Sequence, residues 1–440
     1  MRREEIYVRR RRVAAGVGGV VLVLVAMGLW KMVGAVVGND DREISSGRPS
    51  TSIASRNTGD GSAKGGGADA ATTTSAPLLP DTVEIAAPAL DPDRAQGEEG
   101  SSGTTGLVRV QRLGGDRMSP KSIVASPHGV LFAQNMMYRH SVSVFNAEGA
   151  LVRTIPDAVD LSAHGVEGHP GITKGSPVEM AFSPDGRTAW VPNYSMYGTG
   201  FGPEGSDQCA PGDGTDESYV YRIDVPTGEI RNVVKVGAVP KFVAVTPDGS
   251  KLLVSNWCTD DLSVVDTKTN AEVRRVPLGG SYPRGIVVSK DSRTAYVALM
   301  GADRIVTVDL ATWAVTRFAS PGDGPRHLVM SPDGRHLYVT NNSDGNVAKL
   351  DVATGRTVGS VSTGSQPRSM AISSDGEAIY VVNYDSSTMS KVRTSDMKAM
   401  QSVTTDHHPI GITYEPTKKR VWVACYGGTV IVFDDSRALA

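Results

Sequence analysis

Cysteines, aromatic side chains and net charge are all scarce in this chain of 440 residues. Aromatic residues make up 6% of it and the formal net charge is −2, so no overall basic field exists to gather nucleic acid, which argues against such a partner. No cysteine precedes Cys209, which excludes a lipidated N-terminal cysteine as an anchor. A nucleophile elbow, a phosphate-binding loop and a CxxC pair are all missing, which excludes the enzyme classes that those motifs mark.

A ladder of regularly spaced prolines is the strongest signal that is present. Its members stand at positions 120, 177, 240, 283, 325, 367 and 409. The last four steps are nearly equal, and a similar phrase returns around each proline, as in YPRGIVVSKDSRTAYV from Tyr282 and GPRHLVMSPDGRHLYV from Gly324. A repeat of roughly forty residues made of short strands and turns predicts a β-propeller.

Each repeat holds four short runs with strand character, bounded by turn residues. In the fifth repeat these runs are His327–Met330, His336–Thr340, Val347–Asp351 and Thr357–Val361. The tetrapeptide Ser331-Pro332-Asp333-Gly334 between the first two suits a type I turn, with proline at the second corner and glycine at the fourth. A sheet that is apolar on both faces must stack on its neighbours, and a closed ring completes that stack.

Counting the repeats predicts an all-β protein with a seven-bladed β-propeller over residues 106–440. The seventh repeat has only three strands, so residues 106–112 are predicted to supply its fourth and closing strand. Pairing the two ends of the domain in this way would leave no long open edge. We expect the propeller to be monomeric.

The short runs Val339-Thr340-Asn341-Asn342 and Val254-Ser255-Asn256 resemble the YVTN-type β-propeller repeat of bacterial surface and periplasmic proteins. The likeness covers about Leu107 to Asp435 and is specific for the fold. It implies no single activity, because similar propellers include sugar-lactone hydrolases, streptogramin lyases, cell-surface layer proteins and nucleic-acid-binding periplasmic proteins.

The N-terminal quarter of the chain, residues 1–105, has a different composition. Residues 1–12 are rich in arginine, and residues 13–37 are apolar except for Lys31, which predicts a signal-anchor transmembrane helix with the basic end in the cytoplasm. The propeller would then be extracytoplasmic on a single-pass membrane protein. A cleaved signal peptide is the alternative, with Gly34 and Ala35 near its cleavage site. Residues 38–105, rich in Gly, Ser, Thr, Ala and Pro, predict a disordered linker.

Two of the cysteines fall in loops of adjacent blades that emerge on the same face. Cys209 lies in a long insertion of blade two, and Cys258 lies in the equivalent loop of blade three. We therefore expect a Cys209–Cys258 disulfide in an exported chain. Cys425, on the seventh blade, is expected to be a buried free thiol.

Basic residues recur directly after the ladder prolines. They are Lys121, Lys241, Arg284, Arg326 and Arg368, whereas blades two and seven carry Val178 and Ile410 at this position. Two interpretations stay open: a repeat consensus that bonds carbonyls of the next blade, or a ring that binds a carboxylate, phosphate or uronate. Tyr194 and Trp257 belong to the same face and join these five as ligand-binding candidates.

Candidate metal ligands occur in two inserted segments of blade two. His164 and His169 flank a glutamate, but their spacing matches no zinc motif, so no metal is expected there. Asp213 and Asp216 lie in a Gly-rich loop whose oxygens could hold calcium, although the pattern is not an EF-hand. The expected cofactor set is therefore empty, with calcium as the alternative.

Two functions agree with these features. The preferred one is a membrane-tethered binding or scaffolding module that presents its loop-decorated face to an envelope polymer or a protein partner. The alternative is a propeller enzyme of lactonase or lyase type acting on a small anionic or lactone substrate in the channel. His327, His140 and Glu179 are its candidate catalytic residues.

Overall fold

The computed structural model describes residues 101–115, 118–137 and 139–438, and within these ranges the chain is almost entirely antiparallel β-structure. Two single-turn 3-10 helices, Leu161–His164 and Met300–Ala302, are the exceptions there. No helix in the described ranges is long and apolar enough to cross a bilayer. The transmembrane helix predicted at 13–37, and most of the linker predicted at 38–105, lie outside the described residues.

The strands group into seven sheets, which confirms the predicted all-β, seven-bladed propeller. The chain begins with β1 (Thr105–Gly114), and blade one follows with β2 (Pro120–Ala125), β3 (Val130–Asn135), β4 (Ser141–Asn146) and β5 (Leu151–Pro156). Blade two is β6 (Val159–Asp160), β7 (Ile172–Pro177), β8 (Ala181–Phe182), β9 (Thr188–Tyr197), β10 (Glu217–Asp224) and β11 (Ile230–Ala238). Blade three is β12 (Pro240–Val245), β13 (Lys251–Asn256), β14 (Asp261–Asp266) and β15 (Ala271–Pro277).

Blade four is β16 (Pro283–Val288), β17 (Thr294–Leu299), β18 (Arg304–Asp309) and β19 (Val315–Ala319). Blade five is β20 (Pro325–Met330), β21 (His336–Asn341), β22 (Asn346–Asp351) and β23 (Thr357–Ser362). Blade six is β24 (Pro367–Ile372), β25 (Ala378–Asn383), β26 (Thr388–Arg393) and β27 (Lys398–Thr404). Blade seven is β28 (Pro409–Glu415), β29 (Arg420–Cys425) and β30 (Thr429–Ala438), completed by β1.

The turn between the first two strands of a blade closes through its own side chains. In blade five, Ser331 Oγ bonds Asp333 Oδ1 at 2.5 Å and accepts a hydrogen bond from His336 N at 2.9 Å. Gly334 N donates to Ser331 O at 2.8 Å with φ +77°, a conformation that glycine adopts without steric cost. The repeated turn sequence therefore fixes where each inner hairpin reverses.

The ring closes where the two ends of the domain pair. β1 runs antiparallel to β30, with Arg109 opposite Phe433, so the closing strand expected at 106–112 lies in the position predicted for it. Thr105 is fully buried and already part of this strand, although the sequence assigned it to the linker. Ser102, also assigned to the linker, donates its N–H to Asp375 Oδ2 at 2.9 Å.

A buried ion pair between Lys391 and Asp435, here called the clasp, stabilises this closure. Lys391 Nζ of blade six lies 2.5 Å from Asp435 Oδ1 and 2.7 Å from Thr105 O, and both charged side chains are 0% exposed. The Tyr380 hydroxyl donates to the other oxygen of Asp435. Strands β1, β26 and β30 are thereby tied together, and removing one ion would leave the other buried and uncompensated.

Apolar side chains fill the spaces between neighbouring blades. Leu253 and Val264 of blade three, for example, form one cluster with Ile286, Val297 and Val308 of blade four. No single sheet could bury both of its apolar faces alone, so each blade depends on the next. This rigid ring positions the loops at the channel mouth.

Candidate functional site

In blade one and in blades three to seven, a β-bulge at the start of the innermost strand turns the residue after the ladder proline toward the channel. In blade one, Pro120 pairs with Asn135 and Ser122 pairs with Gln134, which leaves Lys121 as the extra residue. The register shifts at the same place in blades three to seven. Bulges re-aim side chains in this way beside functional sites.

The residue before the proline is held in an unusual conformation. Val239 has φ +54° and Tyr282 has φ +60°, and Gln366 and His408 are also left-handed. A β-branched or bulky residue in this region is strained, and such strain persists only where the surrounding structure enforces it. The strained positions surround the channel mouth on blades three, four, six and seven.

The five basic residues lie near enough to one another for their charges to interact. Lys241, Arg284 and Arg326 are 6%, 8% and 4% exposed, and Lys121 and Arg368 are half-buried. Burial, followed by the charges of Arg284 and Arg326, lowers the pKa of Lys121 well below its ordinary value. Since Lys121 stands on blade one and the two arginines on blades four and five, their charges meet across the channel.

Burial also lowers the pKa of Arg284 to about 10 and the pKa of Lys241 to about 7. The pKa of Arg326 falls for the same reason, with Arg284 and Arg368 contributing after burial. Each cation therefore makes its neighbours harder to charge, which shows that the ring carries mutual repulsion.

Two of the five cations have partners that satisfy them in part. Lys241 Nζ forms a salt bridge with Asp207 and lies 4.1 Å from the centroid of the Tyr194 ring. Arg368 lies over the Tyr384 ring at 3.7 Å. Trp257 lies between Lys241 and Arg284, at 5.1 Å and 5.6 Å from their charged groups.

The other three cations, Lys121, Arg284 and Arg326, have no carboxylate within ion-pair distance among the described residues. Their nearest opposing charges are Glu179 and Asp207, which act on them at longer range. Five cations thus face two carboxylates, and the channel mouth carries excess positive charge.

Beneath the ring lies a cavity of about 280 Å³. It is lined by residues close to the ladder prolines, among them Ser122, Glu179, Phe242, His327 and Ser369, and by parts of β24 and β28. Two successive residues of one strand, such as Arg326 and His327, therefore both face the channel, one at the mouth and one below it.

Of the three catalytic candidates, the cavity brings together Glu179 and His327 only. Burial and the nearby Arg326 lower the pKa of His327 to about 3, so its ring is neutral at pH 7. Its Nδ1 accepts a hydrogen bond from Met370 N at 3.3 Å, and this leaves the ring proton on Nε2. His140 does not line this cavity: its Nδ1 lies 2.7 Å from Gly175 O, and its ring packs against Tyr197.

The segment 198–216, here called the strap, joins β9 to β10 and reaches blade three. Cys209 and Cys258, the pair predicted from the sequence, are joined by a disulfide with their Cα atoms 5.2 Å apart. Trp257 Nε1 donates to Asp207 O at 3.3 Å, and the Tyr194 hydroxyl bonds Asp207 Oδ1 at 3.3 Å. Cys425, on blade seven, is a buried free thiol.

The four metal candidates each have other roles or stand apart. His169 Nδ1 lies 3.1 Å from Thr199 O and its ring stacks on Phe201, whereas His164 ends a 3-10 helix. Asp213 accepts a hydrogen bond from Ala210 N at 2.8 Å, and Asp216 accepts one from Gly202 N at 2.5 Å. Within the described residues, no three His, Cys, Asp or Glu side chains gather as a metal site.

Sequence reasoning did not place Asp207 in the ring; the loop that contains it was considered only as a source of oxygen ligands for calcium. A signal for it existed, because Asp207 stands two residues before Cys209 and the predicted disulfide leads to blade three, where Lys241 lies. It also missed the positive φ values before the prolines and the Lys391–Asp435 clasp. These depend on contacts between segments far apart in the chain.

Comparison with known proteins supports the fold. Residues 294–426 match the model of the cytochrome D1 heme domain family, and this matched segment spans parts of blades four to seven. The chain is 33% identical to Antigen Lp49 of Leptospira interrogans over 84 residues, 19% of this chain and only 18% of that antigen. A solved structure of Kuenenia stuttgartiensis hydrazine synthase aligns with a TM-score of 0.58 and 18% identity, covering 75% of this chain and 99% of that one. The YVTN-type assignment is not confirmed by these matches.

The matched family is named for a heme, which the cavity below the ring would have to accommodate. A cavity of about 280 Å³ is smaller than the roughly 300–1,000 Å³ typical of small-molecule and cofactor sites, and a tetrapyrrole needs more than the lower limit. The histidine that lines it packs edge-on against Phe242 at 5.2 Å and is bonded to Met370 N. These residues do not fit a heme, and no role is assigned to one.

Proposed function

We propose that the propeller is a binding module that holds an anionic group of its ligand in the mouth of the channel. One observation carries this proposal: the charges of Lys121, Arg284 and Arg326 act on one another, and none of the three has a carboxylate within ion-pair distance in the described chain. Arg284 and Arg326 are 8% and 4% exposed, and charged groups enclosed this deeply are normally paired. An anion delivered by a ligand would supply the missing partner.

The chemistry of the ring favours oxygen anions. Guanidinium groups match carboxylates and phosphates through two parallel hydrogen bonds, and arginine is less strongly hydrated than lysine. The bulges and the strained residues before the prolines hold the donors in place before the ligand arrives. A preorganised site of this kind spends little binding free energy on ordering its side chains.

The surroundings of the ligand follow from other features. A disulfide between Cys209 and Cys258 suits an oxidising compartment, which agrees with the membrane anchor predicted at 13–37 and an extracytoplasmic propeller. The ligand we infer is a carboxylate- or phosphate-bearing envelope polymer or protein partner that docks on the loop-decorated face.

A second function, hydrolysis or elimination in the channel, is favoured by one observation: Glu179 and His327 line the same cavity. A general base works best with a pKa near the working pH, and a pKa of about 3 makes His327 a poor one. The binding function is therefore preferred. Turnover of any lactone that is lost in His327→Gln would reverse this preference.

Calorimetric titration of the full-length chain with citrate, inorganic phosphate and glucuronate tests the proposal. We expect binding that weakens with added salt and is lost in Arg284→Gln and Arg326→Gln. Arg335→Gln is the matched control, since Arg335 is on blade five but its side chain is 82% exposed at the turn between β20 and β21. Failure of all three anions to bind, or equal loss in the control, would refute the proposal.

A further inference from the structure

The strap brings a carboxylate into the basic ring. Asp207 forms the salt bridge with Lys241, yet its own side chain is 54% exposed. Of the ring cations, only Lys241 lies within ion-pair distance of it among the described residues. It therefore stands at the solvent side of a deeply buried cation, where an anion from solution would also arrive.

Electrostatics tie Asp207 to the whole ring. Burial alone would raise the pKa of its carboxyl, but Lys241, with Arg284 and Lys121 further away, lowers it below the ordinary value. In return, Asp207 raises the pKa of Arg284 and of Arg326 against the effect of burial. The Asp207 carboxylate thus compensates part of the positive charge that the anionic group of the proposed ligand would compensate.

The strap is fastened on both sides of this carboxylate. Cys209 is bonded to Cys258, and the Cys258 sulfur lies 3.7 Å from Ser206 O. Trp257 Nε1 holds the backbone oxygen of Asp207 itself. A group tethered this closely has a high effective concentration at its site, so it competes strongly with free anions.

We propose that Asp207 is a built-in competitor for the anion site, which a ligand must displace from Lys241. This inference rests on the proposed anion-binding function. A monoanion that replaces Asp207 gains no more charge interaction than the protein loses, whereas a multiply charged anion does. Asp207 is then a specificity-determining residue that selects ligands with two or more negative charges.

The test compares acetate, inorganic phosphate and citrate on the full-length chain by titration calorimetry. Asp207→Asn keeps the size of the side chain and one oxygen acceptor, removes the charge, and replaces the second oxygen by an NH2 donor. We expect it to bind citrate and phosphate about ten-fold more tightly, as for one displaced charge-assisted hydrogen bond, and to gain measurable acetate binding. Asp213→Asn removes the same charge from the same strap, where Asp213 caps Ala210 N, and should change nothing.

A second variant releases the strap without touching Asp207. With Cys209→Ser and Cys258→Ser together, the effective concentration of the carboxylate falls, so citrate affinity should rise, though by less than in Asp207→Asn. Unchanged or weaker binding in Asp207→Asn would overturn the inference while the proposed function stands. If neither the native chain nor any variant binds an anion, the proposed function itself fails.

Discussion

Replacing Arg326 by methionine should make the protein more stable when no ligand is bound. With ligand bound, the variant should be no more stable than the native protein. Arg326 is 4% exposed, and its charge faces Arg284 and Arg368 before the partial relief from Glu179 and Asp207. Methionine keeps most of the aliphatic packing of the arginine stem and removes the charge. The substitution therefore separates the destabilisation that the ring causes through charge repulsion from its contribution to ligand binding.

The expected magnitude follows from Coulomb's law. At an effective dielectric constant near 20, two like charges about 8 Å apart repel by about 2 kcal/mol. Imperfect repacking offsets part of this gain, so Arg326→Met should raise the free energy of unfolding by about 1 kcal/mol at low salt. In 1 M salt the difference should shrink only in part, because salt screens buried charges such as Arg284 and Arg326 much less than exposed ones.

The assay is thermal unfolding at low salt with and without citrate. Citrate at a hundred times its dissociation constant should add about 2.7 kcal/mol to the native protein and much less to Arg326→Met. Arg335→Met provides the control, because its exposed side chain takes no part in the ring. A variant that is clearly less stable without citrate, and equally stabilised by it, would refute the reasoning.

Three further predictions concern the clasp, the ring and the strap. Lys391→Met leaves Asp435 buried without a partner, so the free energy of unfolding should fall by about 3–5 kcal/mol, whereas adding Asp435→Leu should restore part of it in chemical denaturation. The pKa of Lys241 is about 7 in the fold but about 10.4 in the unfolded chain, so raising the pH from 6 to 8 removes its charge from the folded protein only. This should weaken citrate binding and raise the free energy of unfolding of the ligand-free protein. Lys241→Met should flatten both pH profiles. Removing the Cys209–Cys258 disulfide, whose cysteines are 49 residues apart, should cost about 2–4 kcal/mol in calorimetry, and an unchanged melting temperature would argue against a strap held in place by it.

The number of blades and the strand positions could be predicted from the sequence because the repeat is local and periodic. In blade five, His336–Thr340 was predicted and β21 spans His336–Asn341. The turn residues between strands act within four positions of each other, so a tetrapeptide such as Ser331 to Gly334 carries its own geometry. The closing strand followed from the count, because blade seven lacked one.

Which loops share a face could also be inferred, because strand order in a blade dictates it. This brought Cys209 and Cys258 into one prediction and grouped the five basic residues on one rim. The same reasoning placed His140 beside His327, which the structure does not show, since loop membership gives the face but not the distance along it.

The orientation of the basic residues was left open by the sequence, and only the tertiary structure decided it. Regular strand alternation would point Arg326 and His327 to opposite faces, but the bulge after Pro325 turns both toward the channel. The salt bridge between Lys241 and Asp207 likewise joins residues 34 positions apart, through an insertion with no repeat to calibrate it. The hydrogen bonds between the strands of a blade are encoded within each repeat. The balance of charged side chains at the channel axis is instead a sum over seven blades and the inserted strap. This balance exists only once the ring has closed.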